Sequence, residues 1–211
     1  MINISQCYST GTIKGVSKVG GLIGFCSNTT ITDCYSIGNL EESPGWENAG
    51  YAREYLFRYF GGLIGTTSLG VITNCYSCGK VADVPYAGYT QYEYHGFMGP
   101  SEYGDENTVA SLYFDVSKAG RTDNFAVAKS TQEMKQQNTF IGWDFIGIWR
   151  IGGGVNEGYP YLLFSYTPSE GLNIFIITDI GLKQVTEMYL ITDMGLKKAS
   201  QSNIIADTGL K

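Results

Sequence analysis

The chain has 211 residues, of which 28 are Gly and 16 are Tyr, and a formal net charge of −6. Only 16% of the residues are charged and 43% are hydrophobic, which disfavours a helical bundle, a coiled coil and a disordered chain. The acidic balance without a basic stripe disfavours nucleic acid as a partner, and no apolar run is long enough to predict a membrane helix. We therefore expect a turn-rich, all-β protein.

Two short strings recur in the first half of the chain and predict a repeat architecture. The string GGLIG begins at Gly20 and Gly61, with a weaker copy, GFMG, at Gly96, and Cys-Tyr-Ser begins at Cys7, Cys34 and Cys75. In both complete units, 13 residues separate the second Gly of the first string from the next Cys. The distance from each Cys to the next Gly-rich string varies from 14 to 28 residues. One half of each repeat unit therefore has a constant length and the other half varies in length. This pattern predicts stacked β-strands whose insertions all leave at one corner.

The repeats also have the local pattern of strands. Residues 31–36 alternate Ile, Asp and Tyr with Thr, Cys and Ser, and they are rich in β-formers. The flanking glycines are expected to supply tight corners, because Gly adopts positive φ without a Cβ clash. The alternative that the Gly-rich strings bind phosphate is weak, since no P-loop Lys and no helix pattern follow them.

These strings resemble GLUG-motif repeats, which occur in bacterial surface adhesins and in the passenger regions of some IgA-protease-like proteins. Residues 112–115 resemble a degenerate last Cys-Tyr string, and residues 129–134, 139–145 and 158–162 resemble the segment that commonly terminates such arrays. The resemblance covers about residues 1–165. It implies a β-solenoid (parallel β-helix-like) at residues 1–128, exposed outside the cell. The family has no known catalytic constellation, so it suggests no active-site residues.

Residues 129–167 are expected to cap the stack, because the end of a solenoid exposes strand edges and a cut core. Residues 130–137 are polar and predict a helix, with Ser130 or Thr131 as N-cap. Large apolar side chains follow that would cover the last repeat, namely Trp143, Phe145, Trp149, Tyr159 and Leu162. A ligand site built from the same aromatics is the less favoured alternative.

Residues 168–211 contain a different repeat. Asp-x-Gly-Leu-Lys recurs with Gly181, Gly195 and Gly209 spaced 14 residues apart. Asp-x-Gly between apolar strands predicts a hairpin turn, so each unit is expected to be strand, turn, strand. The Thr-Asp-x-Gly-Leu strings resemble segments of phage tail-fibre proteins.

The cysteines Cys7, Cys34 and Cys75 share one position of the repeat. We expect an inward ladder of small side chains, although a spacing of about 4.8 Å between strands also permits a disulfide. Zinc is disfavoured, because strand alternation places Cys75 and Cys78 on opposite faces. No metal and no cofactor are expected.

Candidate catalytic groups are few, and no enzymatic activity is expected. His95 is the single histidine of the chain, and the Gly-x-Ser-x-Gly elbow of serine hydrolases is missing. Parallel β-helices do host glycan-cleaving sites with stacked acids, for which Asp83, Asp105 and Glu106 are the candidates, but no motif fixes their separation. A polysaccharide-degrading β-helix enzyme is therefore the alternative function.

Aromatic residues concentrate in the two long insertions, around residues 41–60 and 84–98, which are expected to stack side by side. Aromatic loops on a rigid scaffold suit a sugar ring or a protein partner. Packing of the same side chains onto the wall of the stack is the plainer alternative. The candidate binding residues are Trp46, Tyr51, Tyr55, Tyr59, Tyr86, Tyr89, Tyr92 and Tyr94.

The expected function is therefore that of a non-catalytic structural or adhesive module on a cell surface or virion. Its partners would be protein subunits of a larger assembly, a surface glycan or a second copy of the chain, without membrane insertion. The first residues lack the charged start and apolar core of a signal peptide. That absence fits a virion appendage or a fragment of a longer exported adhesin.

Overall fold

The computed structural model describes residues 1–43, 58–82, 92–101, 106–165, 189–192 and 195–198. Strands dominate, which confirms the all-β class. The strands, numbered in chain order, are β1 (Ile2–Ser5), β2 (Tyr8–Ser9), β3 (Ile13–Gly15), β4 (Val19–Gly20), β5 (Ile23–Ser27), β6 (Thr29–Thr32), β7 (Tyr35–Ser36), β8 (Leu40–Glu42), β9 (Arg58–Gly61), β10 (Ile64–Ser68), β11 (Val71–Ser77), β12 (Tyr92–His95), β13 (Thr108–Asp115), β14 (Val127–Lys129), β15 (Trp149–Arg150), β16 (Tyr161–Leu162), β17 (Tyr189–Thr192) and β18 (Gly195–Lys198).

Helices are short. The described residues contain one α-helix, α1 (Val116–Ala119). They also contain 3-10 turns at Glu133–Lys135, Gln137–Thr139, Val155–Gly158 and Leu163–Ser165. The α-helix expected over residues 130–137 is therefore wrong. The polar segment forms two tight turns separated by Gln136, whose backbone is extended with φ −119° and ψ 127°.

The chain divides into two compact units, Met1–Ser165 and Tyr166–Lys211. In the second unit the described strands β17 and β18 pair antiparallel, from Tyr189 opposite Lys198 to Thr192 opposite Gly195. This pair lies in the middle one of the three 14-residue repeats. The first and third of these repeats lie outside the described residues.

In the first unit, equivalent residues of successive repeats lie beside one another in parallel strands. We name these repeat 1 (residues 1–27), repeat 2 (28–68), repeat 3 (69–101) and repeat 4 (106–126). The main sheet runs β1-β6-β11-β13-β14, and its register aligns Ile4, Ile31, Ile72 and Val109. The strings that recur in the sequence therefore recur in space, one repeat per strand position.

Repeats 1 to 3 also contribute strands to further parallel sheets. β3 pairs with β8, β5 pairs with β10, and β4, β9 and β12 form a three-stranded sheet. Every strand pairing within repeats 1 to 3 is parallel and joins one repeat to the next. The variable connection lies between the β3–β8 pair and the β4–β9–β12 sheet, at the same place in successive repeats.

The repeat glycines are required by close packing of backbones and not by positive φ. A Cβ on Gly20 would lie 2.0 Å from the Ile23 carbonyl oxygen, and one on Gly61 would lie 1.9 Å from that of Ile64. In the described residues of repeats 1 to 3, positive φ falls instead on non-glycine residues, notably Asp33 and Asn74, at 52° and 53°. Asn and Asp tolerate this region better than other side chains, so the expectation of glycine corners is corrected.

Strand alternation separates two buried clusters. The inner cluster contains side chains from all four repeats, among them Ile31, Cys34, Phe60, Ile72, Cys75 and Leu112. The outer cluster contains Tyr35, Tyr76, Cys78 and Tyr113 with the aromatics of residues 134–162. Cys75 and Cys78 thus lie in different clusters, as their strand context predicts.

Candidate functional site

A column of tyrosine rings runs across the repeats on the outer face of the main sheet. Tyr8, Tyr35 and Tyr76 stack with ring centroids 5.0 Å apart and interplanar angles of 9° and 5°. Register continues the column to Tyr113. Tyr35 and Tyr76 are 2% and 0% exposed, whereas Tyr8, at the end of the column, is 40% exposed.

The C-terminal segment covers the side of this column. It packs on Tyr113 of the last repeat, as expected, and extends over Tyr76 and Tyr35 of the earlier repeats. Trp149 and Trp143 lie with centroids 4.4 Å apart, and each packs against Tyr76 at about 6 Å. The indole Nε1 of Trp149 donates to Asp33 Oδ1 in repeat 2 at 3.0 Å. Because the Tyr side chains point away from the inner cluster, the sheet has a second apolar face, and that face is what the segment covers.

Polar contacts fix the segment against the column. Tyr76 Oη donates to the Pro160 carbonyl at 2.5 Å and accepts from Asn156 Nδ2 at 2.8 Å. Tyr159 Oη donates to Asp115 Oδ2 at 2.7 Å. Burial raises the pKa of Tyr76 well above its ordinary value, so this ring is a neutral hydrogen-bonding group.

The three stacked cysteines have a hydrogen-bonding role that follows from the positive-φ residues before them. Each thiol donates to the carbonyl two residues earlier, at 3.2 Å from Cys7 and Cys34 and at 3.1 Å from Cys75. The backbone N–H of Cys7 points to Cys34 Sγ at 3.4 Å, and that of Cys34 points to Cys75 Sγ at 3.3 Å. The cysteine thiols thus join successive repeats at the positions where Asp33 and Asn74 interrupt the backbone hydrogen bonding between the strands.

All five cysteines are free thiols, with Cys34, Cys75 and Cys78 buried and Cys7 exposed. The expected inward ladder is therefore seen at Cys34 and Cys75, while Cys7 lies at its exposed end. Burial raises the pKa of Cys75 well above that of a free thiol. Within the described ranges, no three Cys, His, Asp or Glu side chains are grouped so that they could hold a metal ion.

The two insertions begin and end beside one another. The first connects β8 to β9 and the second connects Ala82 to β12, and β9 pairs with β12 from Arg58 opposite Tyr92 to Gly61 opposite His95. In repeat 1 the same connection, between β3 and β4, has only three residues, 16–18. The spacing predicts that both insertions leave the repeats at one corner, and the strands that follow them do adjoin.

A buried charge pair closes the root of these insertions. Arg58 Nη1 donates to Glu42 Oε1 at 2.9 Å, and the same oxygen accepts the hydroxyl of Tyr94 at 2.6 Å. The Arg58 side chain is 1% exposed and that of Glu42 is 13% exposed. Since removing one partner of a buried pair leaves an uncompensated charge, this contact holds the two insertion ends in one position.

The eight candidate binding residues divide into two groups. Tyr59 and Tyr94 are buried strand residues, so the expectation that they belong to an exposed loop surface is corrected: Tyr94 stacks on Phe60 with centroids 4.8 Å apart. Tyr92 lies in β12. Trp46, Tyr51, Tyr55, Tyr86 and Tyr89 lie outside the described residues.

Of the candidate catalytic groups, the structure describes His95 and Glu106, and it gives no contact between them. His95 Nε2 lies 3.2 Å from Glu93 Oε2, two residues earlier on the same strand. Glu106 is exposed, and Asp83 and Asp105 lie outside the described residues.

A polar cavity of about 380 Å³ lies beside the turns that follow the Cys-Tyr-Ser strings. Thr12, Asn39 and Lys80 line it from three successive repeats, and Lys118 and Glu157 line its other side. Lys118 Nζ bonds Glu157 Oε2 at 2.8 Å. This cavity could not be predicted from the sequence, because Glu157 is brought to the repeats only by the fold of the C-terminal segment.

Comparisons with protein-family models, with curated proteins and with solved structures give no match to this chain. Among the helices that the structure describes, none has the length and apolar character needed to span a bilayer.

Proposed function

We propose that the chain is a β-solenoid module of the GLUG-repeat type that serves a non-catalytic, structural or adhesive role on a cell surface or virion. Support for the solenoid comes from the parallel register in which equivalent residues of four repeats adjoin, as at Ile4, Ile31, Ile72 and Val109. The recurring GGLIG and Cys-Tyr-Ser strings support the family resemblance.

One observation carries the binding role. Two insertions rich in Tyr emerge from adjoining strands, and their roots are held by the buried contact of Glu42 with Arg58 and Tyr94. Loops on a rigid scaffold are common binding sites, and aromatic side chains supply large contact area with a polar tip. The partner is a protein subunit of a larger assembly or a surface glycan.

Repeat 1 suggests a sharp test. Deleting residues 44–57 leaves Ser43, Arg58 and Tyr59 between Glu42 and Phe60, the same number of residues that separates Gly15 from Val19 in repeat 1. The shortened chain should keep its circular dichroism spectrum and lose binding to whole cells or to an immobilised glycan panel. Tyr55→Ala and Tyr89→Ala should weaken the same binding without the deletion.

The control is Ile146→Ala, which alters a side chain that is 87% exposed in the C-terminal segment and far in sequence from the insertions. It should bind as the unaltered chain does. Binding that survives the deletion would contradict the proposal that the insertions bind the partner. Release of reducing ends from polysaccharide by the unaltered chain would instead favour the glycan-degrading alternative.

A further inference from the structure

Two rows of side chains form one wall of the polar cavity, and each row takes one member from repeats 1, 2 and 3. The first row consists of the residues that follow the aligned serines of the Cys-Tyr-Ser strings: Thr10, Ile37 and Cys78. The second row lies two residues further along each repeat: Thr12, Asn39 and Lys80. The cavity is therefore a product of the repeat register and not of one irregular loop.

Glycine separates the two rows. The residue between them is Gly11, Gly38 or Gly79 in the three repeats. A Cβ on Gly38 would lie 1.9 Å from the Gly11 carbonyl oxygen, and one on Gly79 would lie 1.9 Å from that of Gly38. The close approach of the repeats thus requires glycine here, and no side chain stands between the rows.

Helix α1 and the C-terminal segment supply the opposite side of the cavity. Lys118 Nζ bonds Glu157 Oε2 there at 2.8 Å. The hydrogen bond from Lys118 lowers the pKa of Glu157, so this carboxyl is ionised at neutral pH.

The charges on the lining favour an anionic ligand. Two ammonium groups, of Lys80 and Lys118, face the cavity with one carboxylate, that of Glu157. This surplus of positive charge stands out in a chain whose net charge is −6. A concave site lined with a surplus of one sign attracts the opposite charge. Phosphate fits less well than a carboxylated molecule with hydroxyl groups, because it offers few donors to Glu157, which only accepts.

The size and the neutral groups of the lining fit a sugar ring. The cavity volume of about 380 Å³ lies near the lower end of the range of about 300–1,000 Å³ for small-molecule sites. Asn39 Oδ1 accepts from Lys80 N at 2.9 Å, which fixes the orientation of that amide. The hydroxyl groups of Thr10 and Thr12 can both donate and accept, as sugar hydroxyl groups do. Ile37 adds an apolar surface for the C–H face of a ring.

We propose that this cavity binds a sugar ring that carries one carboxylate, such as a uronic acid residue of an acidic glycan. The ligand's carboxylate pairs with the ammonium groups of Lys80 and Lys118, and its hydroxyl groups bond Thr12, Asn39 and Glu157. None of the described residues that line the cavity belongs to the insertions, so binding here does not depend on what the insertions bind.

Titration of the ¹⁵N-labelled full chain with methyl glucuronide, followed by amide chemical shifts, tests the site. The amides of Thr12, Asn39 and Lys80 should shift and saturate with a Kd on the order of 1 mM. Methyl glucoside has the ring without the carboxylate, and acetate has the carboxylate without the ring. Each should bind at least about tenfold more weakly. No shift at these amides, or equal binding of either control compound, overturns the proposal.

Three substitutions test the charges. Lys118→Met should raise the Kd for methyl glucuronide by about tenfold, because the ligand loses a charged partner. Glu157→Gln should lower it, because the carboxylate that competes for Lys118 is removed, and misfolding would not produce such a gain. Lys14→Met is the matched control: Lys14 Nζ pairs with Glu41 at 2.7 Å outside the cavity, so the Kd should not change. An equal loss in the Lys14 and Lys118 variants, or weaker binding by Glu157→Gln, overturns the proposal.

The chain that lacks residues 44–57 separates this site from the insertions. It should bind methyl glucuronide as the unaltered chain does, even where it no longer binds whole cells. Loss of methyl glucuronide binding in that variant, with its circular dichroism spectrum unchanged, would contradict a site in the cavity and would leave the proposed role of the insertions standing.

Discussion

The carboxylate of Asp123 takes the place of the backbone carbonyl that a following repeat supplies elsewhere among the repeats. Its Oδ2 accepts from Phe97 N at 2.8 Å and from Met98 N at 2.9 Å, and its Oδ1 accepts from Phe125 N and Ala126 N at 2.8 and 2.9 Å. In repeat 2 the corresponding N–H groups, those of Leu63 and Ile64, both donate to the Phe97 carbonyl of repeat 3, at 2.8 and 3.1 Å. One side chain therefore satisfies four backbone donors that the end of the repeats would otherwise leave without acceptors.

Asp123→Asn should destabilise the protein by about 2–4 kcal/mol, because the amide NH2 must face two of the four N–H donors. Urea denaturation at neutral pH measures this loss. Asp144→Asn is the matched control. Asp144 uses only Oδ1 to accept from Ile146 N and Gly147 N, so an Asn carbonyl can replace it. Equal losses in the two variants would show that Asp123 does not hold the end of the repeats.

Among the elements, strand existence and register were predictable, because the repeated strings carry that information directly. The alternation around Cys34 and Tyr35 even separates the inner cluster from the outer one. What the sequence could not supply is where the C-terminal segment packs. Local periodicity shows that Tyr35 and Tyr76 share a face, but the contact of Trp149 with Asp33 joins residues 116 positions apart. The candidate site was predictable only in part. The exit point of the insertions follows from the spacing, whereas Tyr59 lies on the face of β9 opposite the core residue Phe60 and is nevertheless buried, which the strand pattern does not predict.

The start of the C-terminal segment was predicted in part. Ser130 does act as a cap, since its Oγ accepts from Glu133 N at 3.3 Å, while Glu133 Oε2 accepts from Ser130 N at 2.9 Å. This reciprocal pattern is that of a capping box. It begins a 3-10 turn in place of the expected α-helix, because the chain becomes extended at Gln136.

The capping contact should make the stability of this segment depend on pH. Hydrogen bonds from the backbone and side chain of Ser130, and then from Lys129, lower the pKa of Glu133 from 4.5 to about 2. A lowered folded-state pKa means that the contribution is complete above pH 4.5 and is lost as the pH falls toward 2. Glu133→Ala should therefore lower the Tm at pH 7, and the difference from the unaltered chain should shrink between pH 4.5 and 2.

Thermal melts followed by circular dichroism across this pH range measure the effect. Glu133→Gln serves as the control, because the amide can accept the Ser130 hydrogen bonds without titrating. Its Tm difference from Glu133→Ala should stay constant with pH. A difference between Glu133→Ala and the unaltered chain that persists undiminished at pH 2 would contradict the capping role.

At the scale of the first unit, parallel pairing joins repeat 1 through repeat 4, and the insertions of repeats 2 and 3 end at the adjoining strands β9 and β12. The cysteine column runs through this arrangement and is exposed only in repeat 1. Its thiols therefore report whether the stack is intact.

Reaction of the native protein with a thiol-specific disulfide reagent should show this order. Cys7 should react first and Cys26, which is partly exposed, next, while Cys34, Cys75 and Cys78 should react only after unfolding. Burial, followed by the nearby Cys34, raises the pKa of Cys7 above 9.0. Its rate should therefore be below that of a free cysteine at pH 8 and should continue to rise with pH beyond 9.0. Cys7→Ser should remove the fast phase and leave the others in place. Simultaneous reaction of Cys7, Cys34 and Cys75 would mean that repeats 1 to 3 open together in solution, and the stacked arrangement would then be wrong.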